Sequence, residues 1–354
     1  MSALDEVLGR IVAPSAEHVR QARERHTVLT KPPGSLGPLE DVGCQIAGIY
    51  AACPPPQPQR VAIAVFAGDH GVHAQGVTPW PQEVTVQMVG NFLAGGAVIN
   101  ALARQIGAEV LVVDVGVAVD LPDGAGLLAR KVAHGTADLS VGPAMSREQA
   151  LAAIDVGIEV AGLLVDDGHQ VLVTGDMGIA NTTASAALVA VFTGCSVAAV
   201  TGRGTGIDDP TLARKVAVVE RALSRGVRPE DPIAAVAQVG GFEHAALVGF
   251  LLAGAARRVP VVLDGVIACS AALVARALAP VAAGYWVAGH RSAEPGASAA
   301  LASLGLRPLV DLDLRLGEGS GAALAVPLLQ SAARVLREVA TFDSAGVSDK
   351  GAAR

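Results

Sequence analysis

Two acids stand in glycine-rich turns: Glu318 in Gly317-Glu-Gly-Ser-Gly321 and Asp176 in Gly175-Asp-Met-Gly178. Flanking glycines leave little side-chain cover, so each carboxylate is free to accept a proton or contact a ligand. A solvated surface acid is the commoner explanation for any single such residue. Just after Asp176, Asn181-Thr-Thr183 offers an amide and two hydroxyls ahead of an Ala-rich stretch. These groups either cap a helix or, with the free N–H groups and dipole of its first turn, hold a phosphate. The neighbouring Gly202-Arg-Gly-Thr-Gly206 loop favours phosphate. Asp69, His70 and His73 are of metal-ligand type, yet no further ligand is indicated by spacing, and hydrogen bonds within a turn are expected of them. Among the other histidines His18, His26, His134, His169 and His244 read as loop or satisfied core residues. Only His290, in Gly289-His-Arg-Ser292 after an apolar run, stands out.

The elements that must carry these groups read as alternating apolar strands and Ala-rich helices. Strands are expected at 60–66, 109–115, 170–174, 196–201, 259–264, 284–288 and 309–315, a pattern of βαβ units around a parallel sheet. Each expected strand runs into a turn bearing Gly or Asp, and parallel strands would gather those turns on one sheet edge. Ligands of open α/β sheets bind at that carboxyl edge. The first thirty residues read as helical, Lys31-Pro-Pro-Gly-Ser-Leu-Gly-Pro38 ends that segment, and Pro54-Pro-Pro-Gln-Pro58 leads into the first strand. Thr341 to Arg354 reads as a frayed tail.

Composition narrows the class. The chain has 354 residues, 51% hydrophobic and 17% charged, too apolar for disorder and long enough for about two domains. Only 3% are aromatic, so Ala, Val and Leu must fill the core, with 41 glycines permitting close backbone approach. A net charge of −7 and a pI near 5.6 argue against nucleic acid as a partner. Cys44, Cys53, Cys195 and Cys269 lack CxxC spacing and suit a reducing compartment. The N-terminus lacks the apolar core of a signal peptide, so a cytoplasmic location is expected. The uncharged stretch Met177–Gly202 is long enough to span a bilayer, but its Asn, Thr, Ser and Gly residues read as a loop, a buried helix, a turn and a strand, so no membrane is expected. Gly317 to Ala322 fits G-x-G-x-x-A, but that fingerprint belongs to a first βα turn with an acid about 20 residues on, and this one lies near the C-terminus. P-loop, zincin and serine-hydrolase motifs are absent.

Together these segments resemble the nicotinate-nucleotide:dimethylbenzimidazole phosphoribosyltransferases through nearly the whole chain. The resemblance rests on Lys31-Pro-Pro-Gly-Ser-Leu-Gly37, Gly68-Asp-His-Gly-Val72, Pro81-Gln-Glu-Val-Thr85, Gln87-Met88, Asn91-Phe92 with Gly95-Gly96, Gly175-Asp-Met-Gly178 with Asn181-Thr-Thr183, Val239-Gly-Gly241, Leu263-Asp-Gly265, His290-Arg-Ser292 and Arg315-Leu-Gly-Glu-Gly-Ser-Gly321. It implies a homodimer of an α/β fold, a Rossmann-like parallel sheet with flanking helices. Residues 31–329 would form the large domain, and 1–30 with 330–354 a small helical one. It also implies transfer of the 5-phosphoribosyl group of nicotinate mononucleotide to 5,6-dimethylbenzimidazole, giving α-ribazole 5'-phosphate and nicotinate in cobalamin nucleotide-loop assembly, with no cofactor or metal.

The family's base falls on Glu318, and Asp176 stands where the family often has Glu, as a supporting carboxylate. The resemblance further assigns Gly175, Gly178, Asn181, Thr182, Thr183, Gly202, Gly204, Lys215, Gly265, Ser292 and Gly317 to the donor nucleotide. Lys215, which pairs with phosphate in the family, is equally readable as a solvated helix residue. Trp80, Pro81, Gln87, Met88, Met177 and Leu316 are assigned to the acceptor base, with Trp80 where the family commonly has Tyr. An indole stacks well on a flat benzimidazole, though a core or dimer-interface position also suits it. Two rivals stand beside this: transfer to another acceptor, adenine or a phenolic compound, and a non-catalytic nucleotide-binding protein.

Overall fold

The computed structural model describes residues 2–122 and 124–348. Its centre is a six-stranded parallel sheet of β1 (Val61–Gly68), β2 (Glu109–Gly116), β3 (Leu127–Ala129), β4 (Val171–Met177), β5 (Val261–Leu263) and β6 (Trp286–Ala288), in the order β3-β2-β1-β4-β5-β6. β1 pairs Ala64 with Leu111 on one side and with Thr174 on the other. The chain leaves β1 toward β2 and β3, then returns to lay β4 on the opposite side, so the strand order reverses between β1 and β4. This is the doubly wound arrangement in which ligands occupy the crevice beyond the strand ends at the switch point. The tips there are Gly68-Asp69-His70 and Gly175-Asp176-Met177.

β1 is buried on both faces, as its unbroken Val-Ala-Ile-Ala-Val-Phe run requires. Ile63, Val65 and Ala67 face a layer holding Val42, Ile46, Val89, Phe92, Ile99 and the helix Ser320–Glu338. Ala62, Ala64 and Phe66 face the helices Arg147–Asp166, Asn181–Thr193, Phe242–Ala256 and Val266–Leu278. Within that second layer, helices Arg147–Asp166 and Phe242–Ala256 meet backbone to backbone. A Cβ at Gly157 would lie 1.8 Å from the Ala246 carbonyl oxygen, and one at Gly249 would lie 1.9 Å from that of Ile154. The scarcity of large side chains is thus compensated by closeness rather than volume.

The N-terminal segment forms helices Ala3–Arg10 and Ala16–Val28, the second packed on Pro38–Tyr50, which in turn packs on Ser320–Glu338. Residues 349–354 of the expected small domain lie outside the described residues. Two expected strands are not strands. Residues 196–201 contain the helical turn Val197–Val200, because an apolar Val-Ala-Ala-Val run has no period that separates buried helix from strand, and its alanines do not favour a sheet. Residues 309–315 form one isolated bridge, between Val310 and His290, and a few backbone bonds to residues 288–293 but no strand; Asp311 and Leu312 are exposed, and Asp313 turns the chain at φ 54°. β3 falls outside the expected strands. The Met177–Gly202 stretch is the end of β4, a 13-residue helix and a helical turn. A second apolar stretch long enough to cross a membrane, Val84–Ile106, is two helices, Val84–Leu93 and Val98–Ile106, which contribute Val89, Phe92 and Ile99 to the core.

Candidate active site

Glu318 occupies the turn that opens helix Ser320–Glu338, and the three residues Gly317, Glu318 and Gly319 all have left-handed backbones, with φ of 81°, 65° and 93°. Glycine takes this conformation freely, whereas at Glu318 it is strained by about 1–2 kcal/mol. The turn lies on the end of β4: a Cβ at Gly175 would sit 2.8 Å from the Glu318 carbonyl oxygen, and one at Gly317 would sit 3.2 Å from Asp176 Oδ2. Residues distant in sequence are thereby brought to one point. Glu318 is buried, with Oε2 accepting a 3.3 Å bond from the Ile99 N–H. Burial pushes its carboxyl up, the Ile99 N–H partly offsets this, and the Asp264 charge pushes it up further.

Asp176 is also buried. Its Oδ2 accepts a 3.0 Å bond from Asn181 Nδ2, while Oδ1 has no partner among the described residues. Burial, then the charges of Asp264 and Glu243, hold its carboxyl well above the usual range. Asn181 starts helix Asn181–Thr193, and the loop before it is fixed by Thr85, whose hydroxyl accepts the Ile179 N–H at 3.1 Å. Thr182 and Thr183 follow on the first turn, Thr183 with its hydroxyl buried and unpartnered among the described residues.

Lys215 reaches this turn from helix Asp209–Leu223, whose start is capped by Asp208. Its ammonium donates to Thr182 Oγ1 at 2.7 Å and to the Gly202 carbonyl at 3.0 Å, so it is not a solvated helix residue. Only 2% exposed, it has its pKa pushed down to about 8 by burial, with Glu294 opposing. Glu294 in turn accepts the Gly204 N–H at 2.7 Å. Gly265 lies beside His290 and Ser292: a Cβ there would be 3.7 Å from the His290 ring and 3.8 Å from Ser292 Cβ. The expected donor residues therefore fall in two groups on one sheet edge, Gly175–Thr183 with Gly202, Gly204, Lys215 and, against Asp176, Gly317, and Gly265 with Ser292.

The expected acceptor residues are less united. Met88 and Met177 are half-buried against the sheet layer that contains Ile99. Pro81, Gln87 and Leu316 are exposed, and Trp80, 47% exposed, lines a narrow cavity with Gly178, Thr182, Gly204 and Lys215, on the nucleotide side.

Asp69 does not bond within its own turn but accepts the Ala118 N–H just past β2 at 2.8 Å, whereas His73 donates to the Trp80 carbonyl seven residues on at 2.8 Å. His70 differs. Fully buried, its Nε2 lies 2.7 Å from Glu243 Oε1, which also lies 2.8 Å from His244 Nδ1. His244 Nε2 in turn bonds Ser185, on the nucleotide-side helix, at 2.8 Å. Burial alone would raise the Glu243 carboxyl, but the two histidines outweigh it and hold it far below its usual range. Burial likewise disfavours charge on His70, and Glu243 overcomes this and raises its pKa. Four groups important here were not among the expected site residues: Asp264, Glu294, Glu243 and Thr174. Asp264 had a signal, an acid between a Val-Val-Leu run and Gly265, and Glu294 stands before a helix-starting proline. Glu243 and Thr174 carry none.

The phosphoribosyltransferase family model matches residues 11–347. The nicotinate-nucleotide–dimethylbenzimidazole phosphoribosyltransferase of Salinispora tropica is 60% identical over 344 residues, covering 93% of this chain and 94% of its own. The enzyme of that name from Chloroflexus aggregans is 54% identical over 351 residues, covering 99% of both chains. The crystal structure of the Thermus thermophilus enzyme superposes with a TM-score of 0.91 at 48% identity, over 95% of this chain and 99% of its own. The chain belongs to the nicotinate-nucleotide–dimethylbenzimidazole phosphoribosyltransferase family.

Proposed function

We propose that this protein transfers the 5-phosphoribosyl group of nicotinate mononucleotide to 5,6-dimethylbenzimidazole, releasing nicotinate and forming α-ribazole 5'-phosphate. The observation that carries it is Glu318, a buried carboxylate of raised proton affinity on the same sheet edge as the helix start that Lys215 reaches through Thr182, in a chain 60% identical to a relative of that name. One nitrogen of the azole attacks C1' of the ribose, and the C1'–N bond to the pyridinium breaks with its electron pair passing to the pyridine nitrogen. Nicotinate leaves from a cation and needs no acid. The azole must lose its N–H proton, which Glu318 accepts, its negative charge also favouring the positive charge that develops on the azole.

Lys215 and the N–H groups at the start of helix Asn181–Thr193 bind the 5'-phosphate, with Thr182, Thr183, Gly178, Gly202 and Gly204 around it. Asp176 supports this by holding Asn181. Gly265, Ser292 and Gly317 border the ribose, and Trp80, Pro81, Gln87, Met88, Met177 and Leu316 the acceptor. A homodimer and a cytoplasmic location belong to the same proposal, as does the division into a large domain of residues 31–329 and a small helical one of 1–30 with 330–354. The four unbridged cysteines favour a reducing compartment.

The test is nicotinate release on incubation with both substrates. Glu318→Gln is expected to lower kcat by at least about 10²-fold with donor binding retained. No release by the wild-type protein, or near-normal turnover by the folded variant, defeats the proposal.

A further inference from the structure

The glycine turn around Glu318 has the form of an anion-binding nest, successive backbone N–H groups pointing to one side, at the start of a helix. Its occupant is part of the protein. Asp264, just past β5, accepts the N–H of Gly319 at 3.2 Å through Oδ2 and those of Gly321 and Ala322 at 2.9 and 3.0 Å through Oδ1. His290 Nε2 lies 3.3 Å from Oδ1, and its ring packs so closely on Gly321 that a Cβ there would come within 2.0 Å. Asp264 is itself fixed: its N–H donates to Thr174 Oγ1 at 2.9 Å, and Thr174 donates to the Val262 carbonyl at 3.2 Å. A line of bonds therefore runs from β4 through Asp264 to the turn of Glu318, and Asp264 is 1% exposed.

We infer that Asp264 is a positioning residue for Glu318: its carboxylate occupies the nest that a ligand anion would otherwise fill, and so holds the proton acceptor in its left-handed backbone facing the acceptor base. This rests on the proposed transferase activity. Three geometric facts support it. Three consecutive left-handed residues, one of them not glycine, need an external restraint to persist. Asp264 bonds the N–H groups next to that strained residue. All three bonds have charged acceptors, which are stronger than neutral ones. The N–H groups of Gly319, Gly321 and Ala322 are taken by a side chain, so these three are not free to hold a phosphate. Asp264 has an electrostatic effect too. Its charge adds to burial in raising the proton affinity of Glu318, which otherwise faces Asp176 beneath Gly317 and His290 beyond Asp264.

Asp264→Asn retains the shape but loses the charge and places an NH2 against donors. It is expected to lower kcat at least tenfold, to change the KM for nicotinate mononucleotide less than threefold, and to move the acid limb of the kcat–pH profile to lower pH. Because the effect passes through Glu318, Asp264→Asn should cost less than threefold when added to Glu318→Gln. Full additivity in that background, or a loss confined to donor KM, overturns the inference by making Asp264 a substrate contact or a general stability residue. Thr174→Val covers the case in which Asp264→Asn fails to fold. It removes the hydroxyl that accepts the Asp264 N–H and donates to the Val262 carbonyl, leaving the Asp264 carboxylate in place, and it should reproduce a smaller kcat loss that also disappears in the Glu318→Gln background; an undiminished loss there overturns the inference. Wild-type nicotinate release, measured alongside, reports separately on the activity itself: its absence removes the proposed function, whereas normal release with the outcomes above removes only the role of Asp264.

Discussion

Replacement of Lys215 by methionine should weaken donor binding while leaving the protein at least as stable, and the same ammonium should make donor binding fall away at alkaline pH. Among the described residues the cation bonds Thr182 Oγ1 and the Gly202 carbonyl, and burial lowers its pKa from 10.5 to about 8. That drop corresponds to about 3 kcal/mol of unfavourable burial of the charge. The unfolded chain holds its lysine proton up to 10.5 and the folded chain only to about 8. Between those values the unfolded state binds more protons, so folded stability rises with pH across that window. The methionine side chain would escape the charge-burial cost but leave two acceptors unpaired, at about 1–3 kcal/mol, so stability at pH 7 should be unchanged or slightly higher. A dianionic phosphate reverses the balance: a charge-assisted bond of about 1.5–3 kcal/mol is lost, raising donor KM by roughly 10- to 150-fold. In the wild type, KM for nicotinate mononucleotide should be flat below the lysine pKa and rise about tenfold for each pH unit above it as the amine deprotonates. Because the phosphate retains the proton on the bound enzyme, kcat should show no matching break. Initial-rate kinetics across the neutral to alkaline range, with thermal melts of both proteins, supply the measurements. A donor KM independent of pH, or a Lys215→Met donor KM within twofold of wild type, refutes the reasoning.

Trp80→Ala should raise acceptor KM by roughly 2- to 12-fold, the worth of one stacked ring, without altering donor KM; a rise in donor KM instead would assign the indole to the nucleotide side, where the cavity it lines lies. Gly157→Ala must push a methyl against the Ala246 carbonyl, now 1.8 Å from the Cβ position, and should destabilise by about 3 kcal/mol or more; a melting temperature within about 2 °C of wild type contradicts the close helix contact. Glu243→Gln removes the charge between His70 and His244 and should cost about 3–5 kcal/mol in denaturant unfolding at pH 7, with a smaller cost at alkaline pH where the His70 imidazole is neutral. An equal cost at both pH values would show that no imidazolium is involved.

Much of the fold was legible in the sequence because its cues are local. β1 announces itself as a Val, Ala and Ile run, and β2 and β4 as Val- and Leu-rich runs, each leading to glycine, and the segment ending at Pro38 marks a boundary after the N-terminal helices. The segment 309–315 alternates as a strand should, but pairing needs a neighbour, and only Val310 finds one in His290. The run at 196–201 shows the converse: without a period, apolarity alone does not choose between helix and strand.

By itself the sequence determined which residues can do chemistry here. An acid between glycines at 318 is a matter of composition and adjacency, as is Asn181-Thr-Thr183 ahead of a helix. What the tertiary structure decided is which groups those residues answer to. Glu318 owes its backbone to Asp264, which bonds residues 55 to 58 positions away, and its carboxylate meets a backbone N–H 219 positions away. Glu243 became an ion only between two histidines, one of them from a separate element. No spacing in a chain encodes such meetings, because they exist only after six strands bring their ends together, and burial there raises the proton affinity of Glu318 and Asp176.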